Sequence, residues 1–250
     1  MRISISGTAN TGKSTLIKDF LQEWDMYTTP VKTYREFLQE QNLPHSSKTT
    51  KDTQWEVLNF LIDNMQQSQK GDKVIYDRGP LDNMVYTLWA YERCINDIDQ
   101  EFVNKCIPIV RESLRMLDVI FYIPLTAAAP IEIVDDNLRD TDKTYITEID
   151  NIFKGLEQQY FQGVRNSPFF PSEDCPAIVE IFGTREQRLH LIKQYIDAEG
   201  DVIGDDGGST IIGEEALAME QILQDQQQQM NKEKAHYSEL MRQIQMTKRK

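Results

Sequence analysis

Cysteine is scarce in this 250-residue chain: Cys94, Cys106 and Cys175 are an odd number without CxxC spacing. That excludes a disulfide framework and a cysteine zinc site, and leaves buried thiols in a reducing cytoplasm as the expectation. Long apolar runs are missing as well. No stretch approaches the ~20 residues that a membrane-crossing helix needs, so no membrane partner is expected. The N-terminus enters a strand-like segment at once, without a signal peptide, which agrees with a cytoplasmic location. Basic charge is the third deficit. The 27 Lys and Arg residues against 40 Asp and Glu give a net charge of −13. A generally basic nucleic-acid binder is thereby excluded, because phosphates would be repelled overall. His45, His190 and His236 are scattered without ligand spacing, so they support neither a metal site nor a catalytic triad.

What remains is ordinary for a globular chain, 40% hydrophobic and 27% charged. Roughly 70–75% of the unfolded surface should be buried at this length. Residues 1–198 alternate short apolar runs with longer helical patterns. Strands are expected at Arg2–Ser6, Val31–Tyr34, Lys73–Tyr76, Asp118–Ile123 and Ala177–Phe182. Helices are expected at Lys13–Trp24, Thr53–Gln69, Leu81–Tyr91, Phe102–Leu114, Asp142–Phe161 and Thr184–Asp197. Strands separated by helices demand crossovers, hence an α/β fold whose mostly parallel sheet is covered on both faces, a three-layer sandwich. Residues 199–213 are rich in Gly and Asp and read as a linker. Residues 214–250 lack Gly and Pro and read as a helical C-terminal tail, whose partial apolar stripe suits a homodimer contact.

One motif decides the class. Gly7-Thr8-Ala9-Asn10-Thr11-Gly12-Lys13-Ser14 matches GxxxxGK[ST] and lies between a strand and a helix. Its glycines let the backbone curl until successive N–H groups point at phosphate oxygens, and the following helix adds its positive end. Residues Gly7 to Thr15 are therefore the expected ATP-binding segment of a P-loop NTPase fold. Lys13 should reach the β- and γ-phosphates, and Ser14 should ligate Mg²⁺.

The second constellation is Val74-Ile-Tyr-Asp77-Arg78-Gly79-Pro80-Leu-Asp82. Three apolar residues running into an acid put Asp77 at the carboxyl end of a buried strand, where open α/β sheets bind ligands. A carboxylate there can hold a metal-bound water or take a proton from an attacking hydroxyl, and Arg78 can clamp a polar substrate. Asp82 reads as a helix cap. Tyr34-Arg35-Glu36 is a further candidate, with Glu36 assigned to substrate contact.

The P-loop and the Asp77-Arg78-Gly79-Pro80 sequence together resemble the thymidylate-kinase-like branch of P-loop kinases. The likeness is closer to small kinases with an Asp-Arg-Gly-Pro sequence, among them nicotinamide riboside kinases and bacteriophage kinases of 5-hydroxymethyluracil in DNA. It covers residues 1–197. The resemblance implies catalytic roles for Lys13, Asp77 and the lid residue Arg139, metal ligation by Ser14 and Asp77, ATP and Mg²⁺ as cofactors, and an adenine-holding loop at Gly183-Thr184. Since this lid carries one arginine, a further cation is expected from Arg111 or Arg115. A nucleoside-type acceptor is implied, with 5-hydroxymethyl-deoxyuridine in phage DNA leading, in the host cytoplasm, and free nucleosides or nucleotides still open. A nucleotide-binding switch is the competing class.

Overall fold

The computed structural model describes residues 1–44, 48–126, 142–163 and 167–203. Arg139 and the segment expected to form a lid, the residues 214–250 expected to form a tail, and most of the expected linker lie outside these residues. The chain divides into two compact units, Met1–Asp201 and Val202–Lys250. In the first, β1 (Arg2–Ser6), β2 (Val74–Asp77), β3 (Val119–Tyr122) and β4 (Ala177–Glu180) form a parallel sheet in the order β2-β1-β3-β4. The helices are α1 (Lys13–Glu23), α2 (Tyr34–Glu40), α3 (Lys51–Gln66), α4 (Pro80–Glu92), α5 (Gln100–Ser113), α6 (Lys143–Gly163) and α7 (Arg185–Ile192). None of the described helices is long and apolar enough to cross a membrane.

The sheet is buried because helices cover both faces, and strand alternation sorts the side chains between them. Tyr76, Ile120, Tyr122 and Ile178 enter a core shared with α3, α4, α5 and α6. On the other face Phe121 meets Tyr195 edge-on, just past α7. In β1 the isoleucines alternate with Ser4 and Ser6, both fully buried. Their small side chains let the turn before α4 close on the strand: a Cβ on Gly79 would lie 2.9 Å from Ser4 Oγ. The chain leaves β1 towards β2 on one side and returns as β3 on the other. That switch opens a crevice at the carboxyl end of β1.

One expected strand does not form. Val31 is fully exposed and Thr33 caps α2, its hydroxyl accepting from the Glu36 N–H while the Glu36 carboxylate accepts from the Thr33 N–H. A Ser/Thr-x-x-Glu box favours a helix start over a strand, and local capping wins. The end of the first unit is also fastened. Trp24 Nε1 donates to the Asp197 carbonyl at 2.6 Å, Tyr27 donates to the Gly200 carbonyl at 2.7 Å, and Lys73 pairs with Asp201 at 2.9 Å. These contacts fall partly within the segment read from composition as linker.

Between α6 and β4 lies a carboxyl pair. Burial first, and a hydrogen bond shared with Glu180 second, push the Glu157 carboxyl from 4.5 up to about 8. Asp150 adds repulsion and Lys154 opposes it. The folded state holds this proton more tightly than the unfolded chain, so stability is lost as pH climbs from 4.5 to about 8. Glu157→Gln keeps a donor for Glu180 without the charge. It is expected to melt above the wild type at pH 9 and alongside it at pH 5 in thermal scans; a gap of equal size at both pH values contradicts this cause.

Candidate active site

The P-loop leaves β1 through positions that only a permissive backbone supports. Gly7 has φ +140° and a Cβ there would meet the Ile123 carbonyl oxygen at 2.8 Å. Asn10 and Gly12 are left-handed at φ +63° and +82°, and Gly12 caps α1. Thr8 anchors the loop by donating to the Ile146 carbonyl at 3.0 Å, and Thr11 Oγ1 donates back to the Thr8 carbonyl at 3.1 Å. Ala9 packs against the core, Asn10 is half-buried and Thr15 exposed. Lys13 is folded over the loop, its Nζ donating to the Gly7 carbonyl at 2.9 Å and to the Thr8 carbonyl at 2.5 Å. Burial, then the neighbouring Arg78 charge, lowers its pKa well below the ordinary lysine value. An anion in the loop offsets both effects.

Ser14, in the first turn of α1, donates to Asp77 Oδ2 at 2.7 Å. Asp77 is the last residue of β2, paired beside Ile5 at the end of β1. A hydroxyl and a carboxylate thus converge where the P-loop opens. Among the described residues no three His, Cys, Asp or Glu side chains gather to cage a metal. One hydroxyl and one carboxylate, with room for waters and phosphate oxygens, fit Mg²⁺, which rarely occupies an all-protein cage.

Arg78 follows in a left-handed conformation, φ +80°, unusual for a side chain of this size. Its guanidinium lies between the Tyr34 and Tyr86 rings, 5.5 and 5.1 Å from their centroids. It donates to the Gly7 carbonyl at 3.3 Å and to Asp82 Oδ1 at 3.1 Å. Asp82 does more than cap α4. Only 1% exposed, its carboxylate also accepts from Ser6 Oγ at 2.7 Å, the Gly79 N–H at 3.2 Å and the Gly7 N–H at 3.4 Å. Burial raises its pKa, against the pull of Arg78 and Lys13.

From the P-loop a cleft of about 410 Å³ runs between α2, α3, α4 and α6. Leu38, Val57 and Leu61 make one wall apolar, while Arg78, Gln54 and Asn83 line it with polar groups. Asn83 Nδ2 donates to Gln54 Oε1 at 2.8 Å, Thr87 donates to the same oxygen at 3.2 Å, and Gln54 Nε2 donates to Thr49 at 2.8 Å. The buried Asn83 Oδ1 has no partner among the described residues. Trp89 and Tyr145, edge-to-face at 4.6 Å, line the cleft as well.

The structure therefore brings Lys13, Ser14, Asp77 and Arg78 together. Glu36 is not with them: its carboxylate is held by Thr33, it is exposed, and Tyr34, Arg35 and Leu38 of the same helix face the cleft instead. Arg115 is also elsewhere, bonded to Glu112 and the Glu173 carbonyl just before β3, at the sheet edge opposite the P-loop. Arg111 is on α5, which precedes the same edge. Gln54, Asn83 and Asp82 were not legible as site residues, because α3 and α4 meet only on folding. Arg139 lies outside the described residues.

Comparison with known proteins agrees with this architecture. A family model described as AAA domain matches residues 2–162. No curated protein sequence matches the chain. Among solved structures, NadR in complex with NAD and AMP-PNP is similar with a TM-score of 0.52 at 14% identity, over 78% of this chain and 49% of that one. NadR in complex with NR gives 0.54 at 16% identity, over 78% and 51%. Deoxyadenosine kinase from M. mycoides, with products dCMP and dCDP, gives 0.51 at 17% identity, over 78% and 97%. At these identities the likeness is one of fold, and the chain spans about half the length of the NadR chains it matches.

The close seat of the Asp77-Arg78 turn on β1 is testable through Gly79. Its backbone is extended, so alanine is permitted and only the Ser4 hydroxyl obstructs it. Gly79→Ala is expected to cost about 1–3 kcal/mol, and adding Ser4→Ala to recover most of that in denaturant titrations. No recovery would mean that the contact is not what fixes the turn.

Proposed function

The chain belongs to the AAA domain family, and from that premise we propose that it is a Mg²⁺- and ATP-dependent kinase phosphorylating a hydroxyl of a free nucleoside-type small molecule. The observation that carries this reading is one continuous cleft that runs from the P-loop past Arg78 to the Gln54–Asn83 amide pair. A pure hydrolase or switch has no need of a cleft that continues past the phosphate site to further polar groups. The fold shared with NadR and with a deoxyadenosine kinase supports it.

In this reading the P-loop backbone and Lys13 bind the β- and γ-phosphates. Ser14 and Asp77 hold Mg²⁺, which when bound neutralises phosphate charge. Asp77 also orients the acceptor hydroxyl and takes its proton as the new O–P bond forms and the β–γ bridge breaks to release ADP. Arg78, fixed by Asp82 and two tyrosines, lines the cleft, where its charge holds the acceptor and the charge that develops on it. Arg139 keeps the lid role that the family resemblance implies, closing over the phosphates. The Gln54–Asn83 amide pair lines the cleft with polar groups of the kind that read the edge of a base or carboxamide.

A free acceptor is favoured over 5-hydroxymethyl-deoxyuridine in DNA. A cleft between helices admits a duplex base only after it is swung out of the stack, and a chain of net charge −13 repels the backbone that would bring it. ADP release from ATP, measured with nucleosides, deoxynucleoside monophosphates and hydroxymethyluracil DNA, tests the proposal. Release should depend on a free nucleoside-type acceptor, and Lys13→Ala should abolish it while the protein stays folded. Release indifferent to every acceptor contradicts a kinase and is what a nucleotide-binding switch gives. DNA-dependent release overturns the choice of acceptor.

A further inference from the structure

The far side of the P-loop carries a charge that no carboxylate among the described residues answers. α7 and the residue that follows it face α1 with three cations. Arg185 forks onto the Asp19 carboxylate, and Lys193 meets Glu23 at 2.7 Å. Arg188 stands between them without an ion pair among the described residues. It is 9% exposed, one Nη1–H donates to the Thr11 carbonyl, and the buried Nε–H has no partner. Burial pulls its pKa below the ordinary arginine value. An uncompensated buried cation is costly, and a fold that keeps one beside an anion site is prepared for that anion.

Its position narrows the role. Nη1 lies 3.4 Å from where a Cβ on Gly12 would stand, at the start of α1, where the backbone N–H groups face phosphate. Arg188 does not line the cleft that runs from the P-loop to the amide pair, so it meets the loop from outside that cleft, on the α7 side. The Thr184–Gln187 capping box fixes the start of α7, and the two flanking ion pairs tie that helix to α1, so the guanidinium is held in place. Resting on the P-loop reading above, we propose that Arg188 is a second fixed cation of the donor site, holding the phosphate chain of a nucleoside triphosphate from the α7 side while Lys13 holds it from the loop. The extra cation expected from Arg111 or Arg115 is supplied from α7 instead. Arg188 acts by binding alone.

The rival role is a brace for the Thr11 carbonyl and nothing more. Arg188→Gln keeps a donor for that carbonyl and removes the charge, whereas Arg188→Lys keeps the charge. By calorimetric titration, ATP and inorganic tripolyphosphate should bind Arg188→Gln about tenfold or more weakly. Arg188→Lys should stay much closer to the wild type, and competition by adenosine should not change. In the wild type, the Arg188 Nε–H resonance, identified by its loss in Arg188→Lys, should shift with tripolyphosphate and not with adenosine. That readout stands even if Arg188→Gln fails to fold. Wild-type tripolyphosphate affinity in folded Arg188→Gln, or a resonance that ignores tripolyphosphate, overturns the assignment. Equal losses in both variants with matched falls in melting temperature give the brace role. Lys13→Ala is titrated in parallel. If Lys13→Ala loses tripolyphosphate and Arg188→Gln does not, this inference alone falls; if neither does, the P-loop reading falls with it.

Discussion

A single buried carboxylate, that of Asp82, holds the site in one piece. It takes hydrogen bonds from the end of β1 (Ser6), from the first P-loop residue (Gly7), from the turn after β2 (Gly79) and from Arg78. These groups come from two neighbouring strands, and the carboxylate fixes their spacing. With Asp82 in place, the Asp77-Arg78 turn is pinned against the P-loop. Burial makes the charged form of Asp82 expensive, so it needs every one of its donors. Arg78 supplies the countercharge and in return is held over two tyrosine rings, with its backbone in a conformation that local sterics disfavour.

The electrostatics around this knot are preorganised for an anion. Lys13, Arg78 and Arg188 are cations drawn from three separate stretches of chain and brought to one loop. The Arg78 charge, after burial, helps lower the Lys13 pKa. Asp77 and Asp82 offset part of this, and an arriving polyphosphate offsets the rest. Such fixed charges in a desolvated site need little rearrangement at the moment of reaction, which is where electrostatic catalysis gains most.

Much of this was legible in the sequence, and the exceptions share a cause. GxxxxGKS between a strand and a helix names its own geometry, and Val-Ile-Tyr-Asp places a carboxylate at a strand end because both signals are local. The alternation of Ile and Ser in β1 even foreshadows the space into which Gly79 packs. Glu36 misled because a charged residue near a strand end has two uses, and the Thr33 capping box took it. Val31 looked like strand, but the edge of β2 is bridged by Thr28 instead and the chain turns into α2 two residues after Val31. Asp82 showed its capping role and hid its larger one, since Ser6 and Gly7 lie far away in sequence. Gln54, Asn83 and Arg188 left no local trace at all. Their importance comes from α3 meeting α4 and α7 meeting α1.

If Asp82 is the constraint on which the rest depends, removing its charge should loosen both halves of the site together. The most direct measurement is ATP affinity and acceptor-dependent ADP release in Asp82→Asn, at conditions where circular dichroism shows the variant folded. Both quantities should fall together, because the loop and the Arg78 turn lose their common tie. A folded Asp82→Asn protein with wild-type ATP affinity and wild-type turnover would contradict the account.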